Sequence, residues 1–132
     1  MSATQPQPLT HERERVLRLV QRYGWNATAF QTLEPGYRYF FHGEHACVAY
    51  VRTPGAWVAA GAPIAPLDAL RETSLAFVRA ARERGKRSVF FATQNRFRER
   101  LQHELSSLAI GQQPEWDPQH WPAILASHRS LR

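Results

Sequence analysis

Cysteine occurs once in this 132-residue sequence, at Cys47, so no disulfide can form within the chain. That scarcity fits a reducing compartment. Aspartate occurs only twice, at Asp68 and Asp117, each placed where a helix would begin, and no Ser–His–Asp grouping can be assembled from them. No apolar run reaches the roughly 18–20 residues of a membrane span. The longest uncharged stretch of interest, WVAAGAPIAP (57–66), is too short and is broken by Pro63 and Pro66. The opening MSATQPQPLT lacks a basic segment followed by an apolar one, so no secretory leader is read there. There is no internal repeat. Acid is scarcer than base, 11 residues against 17, which leaves a formal charge of +6.

What is present describes a globular chain. Hydrophobic residues make up 43% and charged residues 21%, close to ordinary globular values. The length suits one domain, expected over 10–132 behind a Pro/Gln-rich disordered tail at 1–9. Such a domain buries about two-thirds of its unfolded surface without staples.

Apolar spacing places the elements. Val16, Val20 and Tyr23, with Leu17 and Leu19 beside them, predict a helix over 11–23, capped by Thr10 and stopped by Gly24. YRYFF (37–41), ACVAYVR (46–52) and AWVAA (56–60) read as strands joined by the short turns HGEH and TPG. Strands so closely spaced form an antiparallel meander. Asp68 opens a second helix with Leu70, Phe77, Val78 and Ala81 on one face and Gly85 at its end. SVFFA (88–92) reads as a central strand. A third helix is expected at about 94–107, a short strand and turn over 108–116, and a last helix beginning near 121 that stops soon after it starts. The fold class is therefore α/β (α+β): a mixed, mainly antiparallel sheet with flanking helices.

The segments RYG-N (Arg22, Tyr23, Gly24, Asn26), YRYFF-HGEHACVAYVR, AAGAPIAP, F-RAARERGKRSVFFAT and AIGQQPEWDP follow in order along nearly the whole chain. In that pattern the sequence resembles the soluble catalytic domain of bacterial phosphatidylglycerol lysyltransferases, the aminoacyl-phospholipid synthetases. The family domain has two tandem units like the acyltransferase fold of the N-acetyltransferase superfamily, and this chain is similar to the first. The resemblance implies transfer of an aminoacyl group from tRNA to an acceptor such as a phospholipid headgroup, with a second unit completing the site. It implies a cytoplasmic protein that reaches lipid from the inner membrane surface. Two departures remove carboxylates: Ala62 stands where the family tends to carry an acid, and Gly111, Gln112, Gln113 stand where it tends to carry Gly-Glu-Glu.

No coenzyme A loop is read. RERGKR has one glycine and sits at a helix end, where the dipole is wrong for an anion, and the prolines of AAGAPIAP lack N–H donors. No cofactor is expected. The cluster His42, Glu44, His45 and Cys47 has metal-ligand types, but a turn followed by an apolar strand explains it better, and no metal is expected. Tyr37, Tyr39 and Tyr50 read as strand packing, and His103 and Glu104 as solvent-facing. No catalytic residue can be named.

The basic residues carry the most information. Between Arg79 and Arg100 eight basic residues oppose two acidic ones, which equals the net charge of the whole chain. Within this stretch Arg82, Arg84, Lys86, Arg87, Arg96 and Arg100 are the candidate contacts to phosphate, in a tRNA backbone or in anionic phospholipid headgroups. A solvated, salt-bridged surface is the competing reading. Phe90, Phe91 and Phe97 read as core, which speaks against a base-stacking platform. The alternative functions are a non-catalytic module whose homodimer partner covers an unfinished sheet edge and a plain tRNA-binding module.

Overall fold

The computed structural model describes residues 11–24 and 27–111, with positions 119, 122, 123 and 126. The expected tail, the Thr10 cap, the turn over 112–116 and nearly all of the last helix lie outside the described residues; 122, 123 and 126 are helical.

Helix α1 spans His11–Tyr23, as its apolar spacing requires. Gly24 ends it with an N–H bond to the Val20 carbonyl at 2.7 Å. A side chain there would collide with that carbonyl, since a Cβ would lie 2.3 Å from it. A short α2, Ala27–Gln31, follows; five residues are too few for periodicity to reveal.

Strands β1 (Arg38–Phe41), β2 (Cys47–Arg52) and β3 (Ala56–Ala60) form the expected antiparallel meander. The chain then makes a 3-10 turn, Leu67–Ala69, and runs through α3, Leu70–Glu83. Asp68 is not the cap expected of it: it sits inside the 3-10 turn, and α3 has Ala69 in the cap position with no side-chain cap bond. Gly85 closes the helix end with a left-handed φ of 69°.

Strand β4, Arg87–Phe91, lies parallel to β3, joined through the helical crossover that a parallel pair needs. The order is β1-β2-β3-β4. The expectation of a central strand is thus corrected: among the described residues β4 is an edge. Its burial alternates along the strand. Phe90 packs inward, and Phe91, expected in the core, is 58% exposed. The apolar run SVFFA hid this, because a run of apolar side chains does not say whether both faces are covered.

Helix α4, Asn95–Leu101, is shorter than expected and gives way to turns. Residues 108–111 form no strand, so the described part of that expectation is also corrected.

The two sheet faces have separate cores. Helix α3 lays Phe77 and Ala81 against Val48, Tyr50, Trp57 and Ala59. Phe77, fully buried, contacts the rings of Phe40, Tyr50, Trp57 and Phe90 at 5.3–5.7 Å between centroids. On the opposite face α1 packs Val16, Leu19 and Val20 around Cys47 and Ile64. Burial drives the Cys47 thiol pKa up to about 12, against a smaller pull from Arg15. A third cluster, Leu70, Phe97 and Leu101, ties α3 to α4.

Candidate functional site

The carboxyl ends of β3 and β4 are where the chain makes its least ordinary turns. After Ala60, Gly61 takes φ 80° and donates its N–H to the Phe91 carbonyl at 2.8 Å. The chain then bulges by two residues at Ala62 and Pro63 and keeps the direction of β3. Ile64 forms a bridge to Cys47, with N–O distances of 2.8 and 3.0 Å, which pins the turn to β2. After Phe91, Ala92 takes φ 59°, the left-handed region, which is costly for a residue with a Cβ. Such strain collects at functional sites.

The two turns face one another across a crevice of about 40 Å³, room for one or two water-sized groups. Tyr23, Ala29 and Thr32 close it on the α1–α2 side. Thr93, Gln94, Arg96 and Phe97 close it on the α4 side. Thr32 is held by its own hydroxyl on the Ala29 carbonyl and by Tyr39, whose hydroxyl donates to the Thr32 carbonyl at 2.6 Å. Burial raises the Tyr39 pKa, opposed by the hydrogen bond and charge of Arg13.

Arg96 is the charged residue lining the crevice. Partial burial, then the like charge of Arg100, lowers its pKa, and a guanidinium so placed stays cationic. The described lining contains no carboxylate, histidine or cysteine. It can donate hydrogen bonds and positive charge to an anionic or carbonyl group, and Tyr23 is the other titratable side chain among its described lining.

The structure splits the six basic candidates. Arg82 and Arg84 lie at the end of α3, Lys86 donates to the Pro54 carbonyl at 2.5 Å, and Arg87 opens β4 opposite Ala56. Arg96 and Arg100 lie on α4, beyond the other end of β4. At about 3.3 Å per residue the strand holds the groups more than 10 Å apart. Sequence reading missed Arg96's place in a crevice and the left-handed Ala92. Nothing in FFATQNR signals either, because no glycine marks the turn.

The other candidates find ordinary partners. His42 lies 3.5 Å from Glu72 of α3, His45 packs edge-on to Tyr23, and Cys47 is buried. Among the described residues no three His, Cys, Asp or Glu side chains are grouped to hold a metal. Tyr50 stacks on Trp57, and Glu104 accepts from Arg71 at 2.9 Å to Nε. No helix of the described residues is long and apolar enough to cross a membrane.

A family described as phosphatidylglycerol lysyltransferase, C-terminal, matches residues 17–121. No curated protein sequence matches. Two solved structures are similar in fold. L-PGS from Bacillus licheniformis has a TM-score of 0.62 at 18% identity over 67% of this chain and 28% of its own. The C-terminal domain of a protein described as a lysylphosphatidylglycerol synthetase, from Agrobacterium fabrum, has a TM-score of 0.61 at 20% identity over 69% of this chain and 29% of its own. The chain thus spans under a third of the length of either.

Proposed function

The chain belongs to the phosphatidylglycerol lysyltransferase C-terminal family, and from that premise we propose that it forms one wall of an aminoacyl-transfer site. The donor is aminoacyl-tRNA and the acceptor a phospholipid headgroup at the membrane surface. The observation that carries this reading is Arg96, half-buried in the crevice at the carboxyl ends of β3 and β4 with Arg100 one turn away. Ligands of open α/β sheets gather at the carboxyl ends of parallel strands. Both proposed substrates bring phosphodiesters, and arginine forks match phosphate oxygens.

In this reading Arg96 and Arg100 hold the phosphate nearest the transferred group. Arg82, Arg84, Lys86 and Arg87 contact phosphates farther along, since a nucleic-acid backbone readily spans the length of β4. The described lining of the crevice holds no carboxylate, histidine or cysteine beside Tyr23 and Arg96, and in this reading a second acyltransferase-like unit supplies further proton-transfer groups. The tandem arrangement, with this chain as the first unit over 10–132, is part of the proposal.

The test is binding of charged tRNA, and of vesicles containing phosphatidylglycerol, by the full chain over graded salt. The double variant Arg96→Ala/Arg100→Ala should reduce the slope of log affinity against log salt for tRNA by about 2. An unchanged slope removes the pair from the phosphate site. No retention of tRNA or vesicles at low salt defeats the reading as a whole.

A second reading, a non-catalytic interaction module, draws on the part of the α1-side sheet face that α1 leaves bare. Val51, Val58 and Val89 stand directly opposite one another across three strands, with Phe91 beyond them. Val51, Val89 and Phe91 are exposed.

A further inference from the structure

A second, much larger hollow lies beside β4. It measures about 490 Å³ and runs between β4 and residues 105–111, within the range of ligand sites. Two apolar pairs stand in its walls, among polar neighbours such as Thr93, Asn95, Ser106 and Ser107. Val89 and Phe91 project from β4 at 45% and 58% exposure, and Leu108 and Ile110 from the facing segment at 84% and 64%. Val89 and Phe91 share one face of β4 at i, i+2, and Leu108 and Ile110 have the same spacing in a segment that is not a strand. Four of the seven exposed large hydrophobic residues among those described line this one cleft.

The backbone of β4 is half used. Arg87 donates to the Gly55 carbonyl at 3.1 Å, and the Phe91 carbonyl accepts from Gly61. In a parallel ladder alternate residues bond to the same neighbour, so Arg87, Val89 and Phe91 serve β3. Ser88 and Phe90 therefore direct their N–H and C=O groups into the cleft. Among the described residues no backbone hydrogen bond joins β4 to segment 106–111.

We propose that this cleft is a strand-addition site for one extended polypeptide segment of another protein, with alternate aliphatic side chains and an acidic residue facing Arg98. An added strand satisfies the Ser88 and Phe90 backbone groups and buries both apolar pairs at once. A lipid tail would bury the pairs and leave those groups unpaired, at a cost in free energy. Pairing of two copies through β4 would have to swing the 106–111 wall aside in both, whereas a single strand enters between the walls. Arg98 lines the cleft, within the stretch that carries the whole net charge, so an acidic segment is attracted and a basic one repelled. Ala92, Thr93, Gln94 and Phe97 border both hollows, but the inference is read at the Ser88 and Phe90 amides of the β4 edge, so its failure is distinguishable from failure of the transfer reading, which is read from tRNA and vesicle binding.

Amide hydrogen exchange of the full chain tests it. The probe is a short peptide of alternating valine and glutamate, compared with the same peptide N-methylated at alternate amides and with a valine–lysine peptide. The valine–glutamate peptide should slow exchange at Ser88 and Phe90 by about tenfold or more and leave Val89, already bonded to β3, unchanged. The two control peptides should have no effect. Ser88→Pro removes one donor where an edge strand tolerates proline and should weaken binding by about fivefold. Equal binding of the N-methylated peptide overturns the proposal in favour of a plain apolar groove. Ser88 and Phe90 amides already protected in the free chain overturn it in favour of an internal occupant, and protection that rises with chain concentration overturns it in favour of a second copy.

Discussion

Gly61 and Phe91 are joined by a 2.8 Å hydrogen bond from the glycine N–H to the phenylalanine carbonyl, just where β3 and β4 end. That bond sets the two crevice turns side by side. Gly61 makes it at φ 80°, and Ala92, next to Phe91, sits at φ 59°. Gly61→Ala should lower stability by about 1 kcal/mol, because a Cβ is disfavoured in that region. Ala92→Gly should raise stability or leave it level, since relief of strain outweighs or offsets the added freedom of the unfolded chain. Urea denaturation of both variants decides this, and a stabilising Gly61→Ala would contradict it.

Thr73 lies fully buried in α3, and its hydroxyl has no hydrogen-bond partner among the described residues. An orphan hydroxyl in the core loses hydration without compensation. Thr73→Val keeps the shape and removes the polar atom, and should stabilise the fold by about 1 kcal/mol. A midpoint shift to lower denaturant would show that the hydroxyl has a partner.

Phe77 is the ring on which the α3-side core closes. Phe77→Ala leaves a cavity among four aromatic rings and should cost about 3–5 kcal/mol, much of a small domain's stability. Phe77→Leu should cost less, because volume is better kept. Thermal melts that rank the two variants equally would mean that neighbouring side chains refill the space.

Cys47 gives a pH dependence with a definite sign. Its thiol pKa rises from 9.0 to about 12 on folding, chiefly through burial. The folded state holds this proton more tightly than the unfolded chain. The stabilisation is fully present below pH 9.0 and is lost as pH climbs towards about 12. Cys47→Ala should flatten that part of the stability curve, measured by denaturation at stepped pH. The folded wild-type thiol should also resist alkylation at pH 8, where an exposed cysteine reacts.

The basic residues of α4 and of the α3–β4 corner should separate in function. Charge neutralisation at Arg96 and Arg100 should alter binding at the crevice, while Arg82→Gln/Arg84→Gln should weaken tRNA by a purely salt-dependent amount. Competition by inorganic phosphate, followed at the α4 amides, distinguishes the two ends.

The sequence by itself determined the elements whose signal is local. Periodicity marks α1 and α3, short turns force β1–β3 into a meander, and a lone Cys47 rules out an internal disulfide. The ordered run of segments was enough to point to the family. Tertiary structure decided what those elements touch. SVFFA looks the same whether it is central or at an edge; strand order makes it an edge, and only the packing of the helices leaves the face of Val89 and Phe91 bare. The arginines form one cluster along the chain, yet β4 holds them apart as a rigid spacer. The crevice gathers Tyr23, Thr32, Gly61 and Arg96 from four separate stretches. Contacts between residues so distant in sequence are fixed by packing and by the parallel β3–β4 register, and neither leaves a periodic trace in the chain.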